Sequence, residues 1–181
     1  MVSVASFCIQ TFLAVYLDEL KASPRLTGWA FSFEGMSEIP FYFISAWLIK
    51  KIGLKKVFVL TLVVTAVRMF LYSVIHDPQT VLVVEFSHGI SYALFFVTMV
   101  ETANSLIPSE WRATGQSLMW ASYSGLGALT GNALAGYLID RFSVHRMFFI
   151  QAVFLSIVIV FALFFFAANR NNEINLKYEE I

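Results

Sequence analysis

Two stretches ninety residues apart decide how this chain is read: "AWLIKKIGLKKVF" at residues 46–58 and "GYLIDRFSVHRMF" at residues 136–148. Aligned without gaps they share Leu-Ile (48–49 and 138–139), a basic residue at Lys51 and Arg141, a second at Lys56 and Arg146, and a phenylalanine at Phe58 and Phe148. Each basic stretch separates two apolar runs. The surrounding composition makes those runs membrane segments, because hydrophobic residues supply 59% of 181 positions, charged residues only 13%, and phenylalanine alone occurs 19 times. Soluble domains carry about twice that share of charge.

A helix needs about 20 mostly apolar residues to cross a bilayer. Six segments qualify on the sequence, at about 1–17, 27–49, 56–75, 80–103, 114–138 and 146–168. The connectors between them are short and polar, and residues 169–181 form a polar tail, so the expectation is an all-α membrane protein with one six-helix bundle over 1–168. The first segment has neither a basic leader nor a small-x-small cleavage site and is read as a span rather than a signal peptide. It starts abruptly at Met1, as a chain cut near a helix start would. The ninety-residue offset covers three spans, an odd number, so the two copies face opposite sides of the membrane. The expected architecture is therefore two inverted three-helix repeats.

The remaining composition excludes several functions. Cys8 is the single cysteine, so neither an internal disulfide nor a CxxC site is possible. Net charge is zero and no basic stripe with interleaved aromatics is present, which argues against nucleic acid. His88, the one histidine inside the spans, lacks metal-ligand spacing to the scattered acids, and "SYSG" (122–125) lacks the first glycine of an intramembrane protease motif, so no metal, no cofactor and no enzymatic activity are expected. Lys and Arg number seven on the side of Lys50, Lys51, Lys55, Lys56, Arg112, Arg170 and Lys177, against four on the other (Lys21, Arg25, Arg141, Arg146). The excess marks the cytoplasmic side. Both termini are then cytoplasmic, in a multi-pass protein of the cell membrane.

Five ionisable residues fall inside the spans: Glu34, Glu38, Arg68, Glu85 and His88. Such groups are costly in hydrocarbon unless they face water or one another, which makes them functional candidates. Glu34 and Glu38 are spaced i,i+4 and Glu85 and His88 i,i+3, so each pair shares a helix face. From the rise of ~1.5 Å per residue, Glu38 and Arg68 sit near the midplane, Glu34 and His88 about 6 Å outward, and Glu85 roughly 10 Å outward. Arg68 is expected to pair with Glu38 or Glu85. Val84, Phe86 and Ile90 are left to take the apolar side of the Glu85 helix. Tyr92 continues the His88 face, while Gln116, Trp120 and Tyr123 make a polar-aromatic stripe on the fifth span. With Glu34 these suit a cavity for a small solute. In the run "SGLGALTGNALAG" (124–136), Gly127 and Gly131 form a GxxxG that admits a close helix neighbour.

The first basic stretch resembles the loop motif G-x-x-x-D-R/K-x-G-x-R/K-R/K of the major facilitator superfamily. Lys51, Gly53, Lys55 and Lys56 match; Ala46 replaces the first glycine and Lys50 the aspartate. The second stretch keeps Gly136, Asp140 and Arg141 but has Ser143 for the later glycine. With "YLDEL" (16–20), "SEIPFYF" (37–43), "AVRMFLYS" (66–73), "EFSHGISYALF" (85–95) and "IPSEWRATGQSL" (107–118), the chain is similar to the branch holding phenylpropionate permeases, nucleoside–proton symporters and lactose-permease-like carriers. The resemblance implies the carboxy-terminal six-helix half of a secondary active transporter, symporting protons with a small organic solute. An amino-terminal half or a second copy would close the cavity, and membrane lipid would surround it. Proton coupling would fall to Glu38, Arg68, Glu85 and His88. The rival reading is a receptor or assembly protein that keeps the fold without transport.

Overall fold

In a computed structural model, the backbone is described for residues 2–179 and the side chains for residues 5–166. Eight helices string together as α1 Val2–Glu19, α2 Pro24–Ile52, α3 Leu54–Val74, α4 Pro78–Phe86, α5 His88–Leu106, α6 Arg112–Ala121, α7 Gly127–Arg141 and α8 Val144–Glu179. They make six rods, because α4 and α5 continue one another across Ser87, and α6 and α7 are joined by a π-helical turn over Ser122–Leu126. The rods cover the six expected segments. The last continues through the polar tail to Glu179, with the tail's side chains and residues 180–181 outside the described residues.

Among the described residues, three rods are long and apolar enough to cross a membrane by themselves: Leu54–Val74, Pro78–Leu106 and Val144–Phe166. Of the remaining rods, α2 carries Glu34 and Glu38 and the fifth is interrupted by its π-helical turn.

Packing repeats between the halves. The first rod lies against the fifth as the fourth lies against the second, and α3 lies along α8. Exchanging rods 1–3 with rods 4–6 leaves this pattern unchanged, as the ninety-residue repeat requires. The loops repeat in detail too. Lys51 sits over the Trp47 ring at 4.6 Å, and Arg141 sits over the Tyr137 ring at 5.8 Å, each four residues back and ninety apart. The amide of Val57 donates to the Gly53 carbonyl at 3.2 Å, and that of Met147 to the Ser143 carbonyl at 2.9 Å.

Each rod's buried side follows from its spacing. Ala5, Cys8, Ile9, Leu13, Tyr16 and Leu17 form a stripe on α1, and Met147, Phe148, Gln151, Ala152 and Leu155 one on α8. Most of the remaining α8 phenylalanines point outward, as a lipid-facing surface would. The GxxxG face of α7 receives α1, where the Cys8 Sγ donates to the Gly131 carbonyl at 3.2 Å. The Tyr16 hydroxyl bridges the Tyr72 and Ile75 carbonyls at 2.9 and 3.0 Å, satisfying carbonyls that the end of α3 leaves without helical partners.

Gly53 turns the chain between α2 and α3 at φ 88° and ψ 154°. Only glycine occupies that region without strain of order 1–3 kcal/mol. Gly53→Ala should therefore lower unfolding stability in detergent by about that amount. Gly125→Ala, with open space around the added carbon, is the control. Equal stability of the two variants would show that the turn tolerates a side chain.

Candidate functional site

Arg68 belongs to the buried face of α3 that also carries Thr61, Thr65 and Tyr72. Both hydroxyls below it, on Thr61 and Thr65, bond to carbonyls four residues back, so the guanidinium is the first group on this face needing partners elsewhere. It finds four. Its Nη2 donates to Glu85 Oε2 at 3.3 Å and to the Tyr72 hydroxyl at 3.0 Å, and its Nη1 donates to Ser91 Oγ at 3.1 Å and lies 3.2 Å from His88 Nδ1. The Tyr72 hydroxyl in turn donates to Glu85 Oε1 at 2.6 Å. Arg68 and Glu85 are both buried, so this is a desolvated ion pair; a phenol and a serine also bond the guanidinium, whose Nε is left without a partner among the described residues. Of the two partners open to Arg68 on the sequence, it takes Glu85. Long side chains close the depth separation estimated from backbone rise.

The break in the fourth rod shapes the rest. Ser87 bonds its own hydroxyl to the Val84 carbonyl at 2.6 Å, a local bond that competes with helix continuation. Glu85 thus stands near the end of α4 while His88 begins α5. Against this break lies α2. The Gly89 amide donates to Ser37 Oγ at 2.9 Å, and Ser37 donates to the Glu34 carbonyl at 2.8 Å. A side-chain carbon on Gly89 would collide with the Ser37 carbonyl oxygen, so the two backbones touch as only glycine allows. This contact brings Ser37's neighbours to the histidine: Glu34 Oε1 lies 3.4 Å from His88 Nδ1, and Glu38 Oε1 lies 3.4 Å from Nε2. Of the residues expected on the apolar side, Val84 is buried beside Glu85, Ile90 is half-buried and Phe86 faces outward, so that side is split by the packing.

Arg68 can only donate. Accepting from it leaves Nδ1 of His88 unprotonated and puts the ring proton on Nε2, toward Glu38. A doubly protonated ring would instead direct one N–H to each glutamate. The histidine is therefore contested by a cation on one side and two carboxylates on the other.

Aromatic rings floor the layer. His88 stacks on Tyr92 with centroids 5.3 Å apart, and Trp120 stacks on Tyr123 at 5.5 Å. Phe96 bridges Tyr42 and Trp120 at 5.9 and 5.8 Å. The structure thus gathers Glu34, Glu38, Arg68, Glu85, His88 and Tyr92 into one layer with Trp120 and Tyr123 beside it. Gln116 is apart: its amide donates to Asn104 Oδ1 at 2.9 Å, tying the ends of α5 and α6. Of the loop residues, Lys51, Lys55 and Lys56 are exposed, without ion pairs among the described residues, around the Gly53 turn.

Three contributors were not singled out in the sequence. Tyr72 is four residues from Arg68 and Ser91 three from His88, spacings that place each on its partner's face, so both had a signal. Ser37 had none, since its role depends on a glycine 52 residues away.

Comparison with known proteins finds sequences named as transporters among those this chain is similar to. Residues 1–150 match the family described as "MFS_1 like family". A putative nucleoside transporter YegT of Escherichia coli K12 is 26% identical over 91% of this chain and 42% of its own length. The maltose permease of Geobacillus stearothermophilus is 26% identical over 76% of the chain and 35% of its own length. The xanthosine permease of E. coli K12 is 25% identical, with the same coverage. The chain spans less than half the length of these curated relatives.

Proposed function

The chain belongs to the MFS_1 like family of the major facilitator superfamily, and from that premise we propose that it is the carboxy-terminal half of a proton-coupled carrier for a small organic solute. Nucleosides are the first solutes to test, because relatives of this chain are named for nucleoside and xanthosine transport. The single observation that supports coupling is His88 held between Glu34 and Glu38 with Arg68 against the same ring nitrogen as Glu34. A proton arriving on Nδ1 removes the acceptor that Arg68 Nη1 uses and gives Glu34 a donor. Arg68 keeps Glu85 and Tyr72 through Nη2, so the guanidinium pivots about a fixed end as His88 changes charge. Glu85 is the anchor in this scheme, and Glu38, whose side chain is 24% exposed, is the group through which protons enter. Tyr92, Trp120 and Tyr123 supply stacking surfaces suited to a planar base or a sugar ring. Gln116 serves at the rod ends, away from the solute. The Lys/Arg excess supports cytoplasmic termini and a cell-membrane setting.

The test uses vesicles carrying this chain together with an amino-terminal half. Adding uridine or xanthosine to a weakly buffered suspension should alkalinise the medium as the nucleoside enters. Glu38→Gln should abolish uphill uptake and leave nucleoside exchange within about two-fold of the parent, since exchange needs no net deprotonation. Solute uptake without any pH change removes proton coupling. Absence of nucleoside uptake alongside uptake of maltose moves the solute class to sugars.

A further inference from the structure

A second group of titratable side chains gathers where the ends of α1 and α3 meet the start of α8. His145 is its centre. The ring lies 3.0 Å from the Ile75 carbonyl through Nε2 and 3.7 Å from Glu19 Oε1 through Nδ1. Tyr16 and His76 pack against it, with ring centroids 5.3 and 5.0 Å away. Ile75 comes seven residues after Arg68, about 10 Å further by helical rise, so this group is separate from the charged layer.

The partners dictate the chemistry of the ring. A carbonyl only accepts, so Nε2 carries the proton of the neutral imidazole and Nδ1 is a bare lone pair. The Ile75 carbonyl also accepts from the Tyr16 hydroxyl at 3.0 Å, which fills both of its acceptor positions. Nδ1 therefore faces a carboxylate with no hydrogen between the two acceptors. Only a second proton on the ring turns that contact into an ion pair. Solvent can deliver it, since the side chain of His145 is 18% exposed and that of Glu19 47%.

Neighbouring charges leave both partners free for each other. His76, on the connector between α3 and α4, is exposed and in no ion pair among the described residues. Asp77 beside it caps α4, accepting from the Thr80 hydroxyl at 2.8 Å and the Thr80 amide at 3.0 Å, which holds its carboxyl below the usual carboxylate range. At the end of α7, Arg141 rests on the Tyr137 ring. Asp18 on α1, Asp140 on α7 and Arg146 on α8 are exposed, without ion pairs among the described residues.

We infer that Glu19 and His145 form a proton-operated clamp, in which a proton on Nδ1 ties the end of α1 to the start of α8 and its loss releases them. The α1 helix packs mainly on α7, and at this end its polar ties to the α3–α8 pair are Tyr16 and Glu19. The Tyr16 tie is constant and the Glu19 tie conditional. Histidine is the side chain that changes charge between about pH 5 and 8. A ring that gains a partner when charged adds stability in acid and loses it as pH rises. His76 acts as a brake, because a proton there sets two cations 5.0 Å apart. On the orientation proposed above this face is external, so the clamp regulates the carrier by acid outside while the charged layer moves the coupled proton.

Two measurements on the full chain in micelles test the clamp without transport. Solution NMR of the imidazole nitrogens near pH 8 should show His145 as the Nε2–H tautomer, its signal assigned by loss in His145→Gln. Unfolding temperatures of the parent, Glu19→Gln, His145→Gln and the double variant give the coupling between the two side chains. Near pH 5 the coupling should be worth about 2 °C, the size expected of a part-exposed pair, and near pH 8 it should vanish. In a His76→Ala background the coupling near pH 5 should be the same or larger. The inference is overturned by an Nδ1–H tautomer near pH 8, by a coupling equal at the two pH values or absent from both, or by a coupling lost together with His76. Micelles have no inside or outside, so failure here leaves the transport reading standing, and failure of nucleoside uptake leaves the clamp standing.

Discussion

Glu85→Gln, made alone, is expected to destabilise the protein by about 3–5 kcal/mol, the usual loss when one partner of a buried ion pair is neutralised. The carboxylate is fully buried and is the only acid in salt-bridge contact with Arg68 among the described residues. The amide keeps the shape and one acceptor for Tyr72 but leaves the guanidinium without a countercharge. Arg68→Met should cost a similar amount for the reciprocal reason. The double variant Arg68→Met/Glu85→Met should recover most of the loss, because a pair replaced by apolar groups of similar volume is often neutral. Unfolding in mixed micelles, followed for the four proteins side by side, measures the coupling. Singles as stable as the parent would show that the pair is not held from water. A double variant as unstable as the sum of the singles would show that each residue is held by other contacts. In vesicles with the amino-terminal half, Arg68→Met/Glu85→Met should fold yet fail to transport uphill, since the guanidinium that answers His88 is gone.

The second large effect is expected at Gly89→Ala. The added carbon would collide with the Ser37 carbonyl oxygen and lie 2.8 Å from the Glu38 nitrogen, both main-chain atoms that cannot swing aside. Relief requires α2 and α5 to separate, which also removes the bond from the Gly89 amide to Ser37. A loss of about 3 kcal/mol is expected, the upper end of ordinary overpacking. Gly28→Ala and Gly35→Ala on α2 have open space and should be neutral or slightly stabilising, because alanine favours helix. In Gly89→Ala protein that still folds, His88 should move away from Glu34 and Glu38, which solution NMR of the imidazole would detect as a changed tautomer. Parent-like stability with an unchanged imidazole signal would mean that the interhelical contact is looser than 2.9 Å bonding implies.

The six rods and their repeat could be read from the chain because apolar length and a ninety-residue echo are local, additive signals. Arg68 could be identified as a buried cation on the same grounds. Its partner could not, since backbone rise put Glu38 level with Arg68 and Glu85 roughly 10 Å outward, a separation that the two long side chains close. Both interruptions were also hidden. Residues 80–103 and 114–138 carry uninterrupted apolar patterns, whereas the break at Ser87 comes from a hydroxyl bonding its own backbone and from a glycine meeting another helix. The π-helical turn at Ser122–Leu126 likewise shifts Tyr123 relative to Trp120, so the two rings stack at 5.5 Å. Gln116 looked like part of that stripe by spacing, yet a single amide partner at Asn104 was enough to hold it elsewhere.

The twin cation-on-ring contacts, Lys51 on Trp47 and Arg141 on Tyr137, have a mechanical consequence. They stand at the two ends of the repeat, on opposite faces of the bilayer, and each combines an aromatic ring that favours the headgroup zone with a charge that favours water. Together they act as a pair of floats moored at both surfaces. A vertical slide of this half would pull one float into hydrocarbon while lifting the other into water, so both oppose it. Tilting about an axis in the membrane plane moves each far less. Thinner or thicker bilayers should therefore change the inclination of this half before they change its depth.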